Sequence, residues 1–318
     1  MRARTLLFFA LPLAALGVVL AFALTGLGGV APASRPAGSA PGAAQACGVA
    51  RGTTVRVSVP VAGQAARSAL VHLPRARGGR LALIVALHGA YGSGAFMERY
   101  SGLSRLADRQ GFAVVYPDAA GPRWQIAADE DGTDVQFIDA LLDRMLSGGC
   151  VDEARVSAVG VSNGAGMAAR FACAGDDRLA GLVAVAGDYG PLPTCRARRP
   201  LSVLEIHGTA DAAAPYRGTP QEPAGDVLGW ITTWAERDAC RGAPRRTLQS
   251  ARVLRFDWMS CRDGTSVEHL RLAGGAHAWP GADPPDPGPQ FGVSASEEAW
   301  SFLRDRRLAP AVSEHHDG

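Results

Sequence analysis

The segment from Arg155 to Met167 constrains this chain more than any other, because a β-branched run there closes on Gly160-Val161-Ser162-Asn163-Gly164. Met167, Ala168, Ala169, Arg170 and Phe171 follow as helix formers, so the segment reads as strand, tight turn and helix. Ser162 falls at the top of the turn. A bend that sharp leaves no room for side chains beside the serine, which accounts for Gly160 and Gly164. The hydroxyl is then lifted over a helix N-terminus, whose dipole, with the Asn163 backbone N–H, favours negative charge on a bound carbonyl oxygen.

A strand entering such a turn needs a sheet around it, and the remaining sequence supplies one. Residues 81–87 are apolar on both faces, as a central parallel strand must be; 112–116, 182–185 and 201–206 read as further buried strands and 266–272 as the last strand. Two alternating runs, 54–59 and 69–73, form an expected edge hairpin around Gly63. Helical patterns cover 101–110, a stretch capped near Thr133 or Asp134, 227–237 and 297–303. The second of these places Val135, Ile138, Leu141, Leu142 and Met145 on one face. Strands alternating with helices imply an α/β chain whose mostly parallel sheet, of about eight strands, is covered on both faces. Residues 240–261 read as an insertion.

Four strand ends carry chemistry: His88-Gly89-Ala90, Ser162, His207-Gly208-Thr209-Ala210-Asp211, and Gly274-Gly275-Ala276-His277-Ala278-Trp279. In open α/β sheets ligands gather at this rim. The order serine, acid, histidine is that of an α/β-hydrolase triad. His277 would take the Ser162 proton, and Asp211 would hold the imidazole tautomer and steady its charge. Asp188 is the other possible acid, but the strand position favours Asp211. The Asn163 N–H and one from the His88-Gly89 loop, Ala90 for preference, would form the oxyanion hole. Tyr91, Trp124, Tyr216 and Trp279 are candidates to line the substrate pocket. His88 and His207, each before a glycine, suit loop bracing better than proton transfer, while His72 and His269 fall inside strand patterns. A non-catalytic binding protein on the same fold is the rival reading.

Composition removes other classes. The 318 residues carry a formal net charge of +2, so no nucleic-acid footprint is visible. All basic residues are arginine, which excludes Schiff-base lysines and a Walker P-loop. Arg2 and Arg4 precede an apolar run to about Val30, and Ala31-Pro32-Ala33 offers a cleavage site, so residues 1–33 are expected to be an export signal. An uncleaved membrane anchor is the alternative. Residues 34–50 read as a Pro/Ala/Gly-rich linker, 51–308 as the catalytic domain and 309–318 as a polar tail. The expected location is secreted or periplasmic. Six cysteines in an exported chain favour disulfides over metal ligation, and no C-x-x-C pair is present. Short loops favour Cys240 with Cys261 and Cys173 with Cys195, leaving Cys47 with Cys150.

At Gly160-Val161-Ser162-Asn163-Gly164, at His207 to Asp211 with Pro215-Tyr216, and at Gly274 to Gly281, the sequence resembles a known family. This is the secreted polyhydroxybutyrate depolymerase and feruloyl or acetylxylan esterase family of α/β-hydrolases, and the likeness runs from about Thr53 to Leu303. It implies the triad Ser162, Asp211 and His277, no metal or organic cofactor, and a small or oligomeric ester as substrate. The family usually follows His-Gly with more glycine, where Ala90-Tyr91 stand here. With no polymer-binding module after residue 308, soluble hydroxyalkanoate oligomers or acyl and feruloyl esters are expected over crystalline polyester.

Overall fold

Apolar runs that alternate with amphipathic stretches bury both faces of one sheet. The computed structural model describes residues 49–75, 79–127, 132–174, 177–189, 195, 199–219 and 226–308. The leader, most of the linker with Cys47, and the tail lie outside the described residues. In chain order the elements are β1 (Thr54–Val59), β2 (Arg67–His72), β3 (Leu81–Leu87), α1 (Gly94–Ser101), α2 (Leu103–Gln110), β4 (Ala113–Pro117), α3 (Thr133–Ser147) and β5 (Val151–Val161). Then follow α4 (Asn163–Cys173), β6 (Gly181–Val185), β7 (Ser202–Gly208), α5 (Val227–Arg237), β8 (Arg245–Ser250), β9 (Val253–Trp258), β10 (Val267–Leu272) and α6 (Ala295–Leu303).

The sheet order is β1-β2-β4-β3-β5-β6-β7-β10-β9-β8. From β4 to β10 every neighbour is parallel, and antiparallel pairs close both edges. Strand alternation divides the core into two layers. Leu81, Leu83, Val85 and Leu87 pack with α3, α4 and α5, whereas Ala82, Ile84 and Ala86 pack with α1, α2 and α6. On α3, Ile138, Leu141, Leu142 and Met145 face that core.

Three local differences from the sequence reading have physical causes. The helix expected over 101–110 is α2, and α1 before it is an additional helix that ends where Gly102 takes φ +65°. Asp134 does not cap α3; its carboxylate pairs with Arg67 at 2.6 Å and accepts the Gln125 N–H. The 240–261 region is no mere insertion: β8 and β9 extend the sheet to ten strands. All six β8 residues are exposed, so the strand lacks the apolar alternation that would announce it.

Both disulfides expected from short loops are present, Cys173–Cys195 and Cys240–Cys261. Cys150 is also disulfide-bonded. Such bonds persist in an oxidising, extracytoplasmic compartment. Among the described residues no helix is long and apolar enough to cross a membrane. Cys240–Cys261 closes a loop with a sequence separation of 21 around the β8–β9 hairpin. The double variant Cys240→Ala/Cys261→Ala is expected to lose about 3 kcal/mol, which thermal unfolding checks as a fall of roughly 6–12 °C.

Candidate active site

The carboxyl ends of β3, β5, β7 and β10 carry the groups singled out above, and these strands lie close together in the sheet. Ser162 stands between β5 and α4 with φ +56° and ψ −127°, a backbone conformation that non-glycine residues rarely adopt and that costs of order 1–3 kcal/mol. It persists because the bend is tied on both sides. The Ser162 N–H donates to the Val185 carbonyl (3.0 Å), and the Ser162 carbonyl accepts the Asp188 N–H (3.1 Å). A Cβ on Gly160 would collide with the Gly164 carbonyl, so the turn closes only with glycine there.

Asp211 is buried, and each carboxylate oxygen is occupied. Oδ1 accepts the Ala213 and Ala214 N–H groups (2.9 and 2.8 Å), and Oδ2 lies 2.8 Å from His277 Nδ1 and 3.3 Å from His207 Nε2. Despite burial, hydrogen bonds from His207 and His277 hold this carboxyl well below the usual range. His277 therefore carries a proton on Nδ1, donated to Asp211, which turns Nε2 away from the carboxylate. Asp188, the other acid considered, contributes its backbone to the serine bend. The Asp211 and His277 loops meet through backbone: Thr209 N–H donates to the Leu272 carbonyl and Ala210 N–H to the Gly275 carbonyl, at 2.9 and 2.8 Å. A Cβ on Gly208 would strike the Gly275 backbone, which explains glycine at both ends of this contact.

Ser162 Oγ has no hydrogen-bond partner among the described residues. Nucleophile-to-base bonds are often long in free enzymes and tighten when substrate binds. Beside the serine, the β3 loop presents a defined peptide. Burial pushes His88 below its ordinary value, so the ring is neutral. Its Nε2 accepts the Ala119 N–H (3.1 Å), which leaves the proton on Nδ1, donated to the Gly89 carbonyl (2.7 Å). In a trans peptide the Ala90 N–H then points the opposite way. Among the described residues neither the Ala90 nor the Asn163 N–H has a partner.

The four aromatic candidates divide. Tyr91 is 89% exposed, at φ +60°, two residues past Gly89, which packs against Ser162. Trp124 is fully buried: its indole donates to the His88 carbonyl, and its backbone pairs with the Asn163 side chain, so it clamps the β3 loop to the serine bend. Trp279 is buried with its indole on Ser296 Oγ, and Tyr216 is buried with its hydroxyl on His269. The structure thus brings only Tyr91 of the four to open surface. Among the described residues no group of three or more His, Cys, Asp or Glu is placed to hold a metal ion.

A largely parallel sheet with serine on a strand-to-helix bend, and an acid and histidine following at the same rim, defines an α/β-hydrolase. The model of the esterase PHB depolymerase family matches residues 67–206. NocK of Nocardia uniformis subsp. tsuyamanensis, which bears an esterase designation, is 32% identical over 302 residues, covering 83% of this chain and 87% of that protein. Feruloyl esterase B of Piromyces equi is 27% identical over 62% of this chain, which spans only 39% of that relative's length. In fold, the acetyl xylan esterase of Aspergillus awamori superposes with a TM-score of 0.59 at 15% identity, over 80% of this chain and 99% of that one. The chain belongs to the esterase PHB depolymerase family of α/β-hydrolases, and it is an esterase.

Two residues beside the site escaped the sequence reading as functional candidates, Glu205 and His269. The signal was present: a lone carboxylate inside the apolar run of β7 is too costly to bury without partners.

Proposed function

We propose that the protein is an exported serine esterase in which Ser162, His277 and Asp211 form the catalytic triad. The contact of 2.8 Å between His277 Nδ1 and Asp211 Oδ2, at the rim that also carries Ser162, is the observation that supports this most. As Ser162 Oγ bonds to the ester carbonyl carbon, His277 Nε2 takes its proton. The carbonyl oxygen becomes an oxyanion facing the Ala90 and Asn163 N–H groups. His277 then protonates the departing alcohol, leaving an acyl-enzyme. A water molecule deprotonated by His277 releases the acid and restores the serine. No metal or organic cofactor enters.

The family supports short-chain and hydroxyalkanoate oligomer esters as substrates. The exposed ring of Tyr91, two residues past Gly89, and the feruloyl esterase relatives support an aryl ester as the second reading. Residues 1–33 act as an export signal, with an uncleaved membrane anchor as the alternative, and the protein is secreted or periplasmic. The test is a panel of p-nitrophenyl butyrate, hydroxybutyrate oligomer and methyl ferulate, with intact-mass detection of an acyl adduct on the Ser162 peptide. Turnover of the first two above methyl ferulate is the expected result. Preference for methyl ferulate selects the aryl reading, and turnover without a Ser162 adduct defeats the triad.

A further inference from the structure

We propose that His207 is held as an imidazolium between the carboxylates of Glu205 and Asp211 and, acting through Asp211, keeps His277 available as a base at lower pH. It is a positioning residue, and its effect on catalysis rests on the triad assignment above.

The protonation state follows from which groups can donate. His207 Nε2 lies 2.8 Å from the Ala214 carbonyl oxygen and 3.3 Å from Asp211 Oδ2, and neither can donate, so Nε2 carries a proton. Nδ1 lies 2.8 Å from Glu205 Oε1. That oxygen also accepts the Tyr189 hydroxyl at 3.0 Å, while Glu205 Oε2 lies 2.6 Å from His269 Nδ1. A carboxylate only accepts, so His269 carries its ring proton on Nδ1 facing Glu205, and its Nε2 accepts the Tyr216 hydroxyl at 2.8 Å. Glu205 is thus ringed by donors and stays ionised, and His207 carries protons on both nitrogens. Glu205 and the rings of His207 and His269 are closed to solvent. An unpaired carboxylate at that depth is strongly disfavoured, and the imidazolium offsets that cost. Burial pulls His207 down, but the Glu205 charge, with hydrogen bonds to Asp211, Glu205 and Ala214, raises it to about 10.

Glu205 and Asp211 come from β7 and the loop after it, His269 from β10, Tyr189 from the loop after β6 and Tyr216 from the loop before α5. Asp188, Arg271, Arg217 and Asp226 act on the two tyrosines from further out. The balance beside Asp211 is one adjacent cation, with Glu205 a step behind it. That cation offsets part of the Asp211 charge, so His277 holds a captured proton less tightly than it would beside a bare carboxylate.

Glu205→Gln tests this, because glutamine can donate to His207 Nδ1 and make the ring neutral while Nε2–H still faces Asp211. The acid limb of kcat/KM for p-nitrophenyl butyrate is expected to move up by roughly half a pH unit to one. In protein labelled with nitrogen-15 histidine, one imidazole should keep both ring protons at pH 8.5 in the wild type and lose one in Glu205→Gln. Absence of an imidazolium at pH 8.5 in the wild type overturns the proposal, whether or not the variant folds. So does an unmoved acid limb in a folded variant. Loss of the triad assignment would instead show as activity surviving Ser162→Ala, with the histidine signals intact.

Discussion

Ser162→Ala is expected to lower kcat for p-nitrophenyl butyrate by about 10⁴-fold or more, while the melting temperature stays within a degree or two of the wild type. Both halves follow from the same geometry. In the proposed mechanism the hydroxyl supplies the atom that bonds to the acyl carbon. For folding, Ser162 Oγ has no hydrogen-bond partner among the described residues, so its loss leaves no buried group unpaired. The backbone at φ +56° is equally strained with alanine. Ser162→Gly separates the two effects: it should be as inactive, yet melt higher, since glycine takes positive φ without cost. Activity within tenfold of wild type in Ser162→Ala would end the serine mechanism. A large fall in melting temperature would mean that the side chain serves the fold after all.

The parts of the molecule that could be read directly from the sequence are those in which one physical demand dominates. Leu81–Leu87 had to be a central strand because both its faces are apolar, and Gly160 to Gly164 had to be a bend because only glycine fits beside the serine. Asp211 and His277 followed, since each lies just past a buried strand at the same rim. Where demands compete, the pattern is silent. In β8 every residue is exposed, so pairing with β9 alone fixes it. In α1 only Gly94, Met97 and Ser101 are buried, too sparse a stripe to mark a helix. Trp124 stands in a polar loop, yet it is buried because its indole has a carbonyl to bond, a contact 36 residues distant in the chain. Glu205 and His269 are harder still, because each is unfavourable in its own strand and is made acceptable by partners from other parts of the chain, each other included.

The second large effect concerns the junction that joins the serine bend to the β3 loop. Gly164 lies in the first turn of α4, and a Cβ built there would fall far inside van der Waals contact of the Leu87 and His88 carbonyl oxygens. Helix propensity alone says that Gly164→Ala should stabilise α4 by about 1 kcal/mol. Steric exclusion says the reverse, and it wins because the obstructing atoms are backbone at the end of a fully buried strand and cannot swing aside. Overpacking of this kind costs about 3 kcal/mol, seen as a melting temperature lower by roughly 6–12 °C. Activity should fall about 10²-fold as well, because α4 can relieve the clash only by moving Asn163 away from Ala90, and a shift near 1 Å between such groups has that effect. Gly121→Ala is the matched control: nothing lies within 4 Å of its Cβ position, so stability and turnover should both be unchanged. If Gly164→Ala melts at or above the wild-type temperature, the strand and helix do not approach as closely as the structure places them, and the proposed oxyanion geometry fails with that contact.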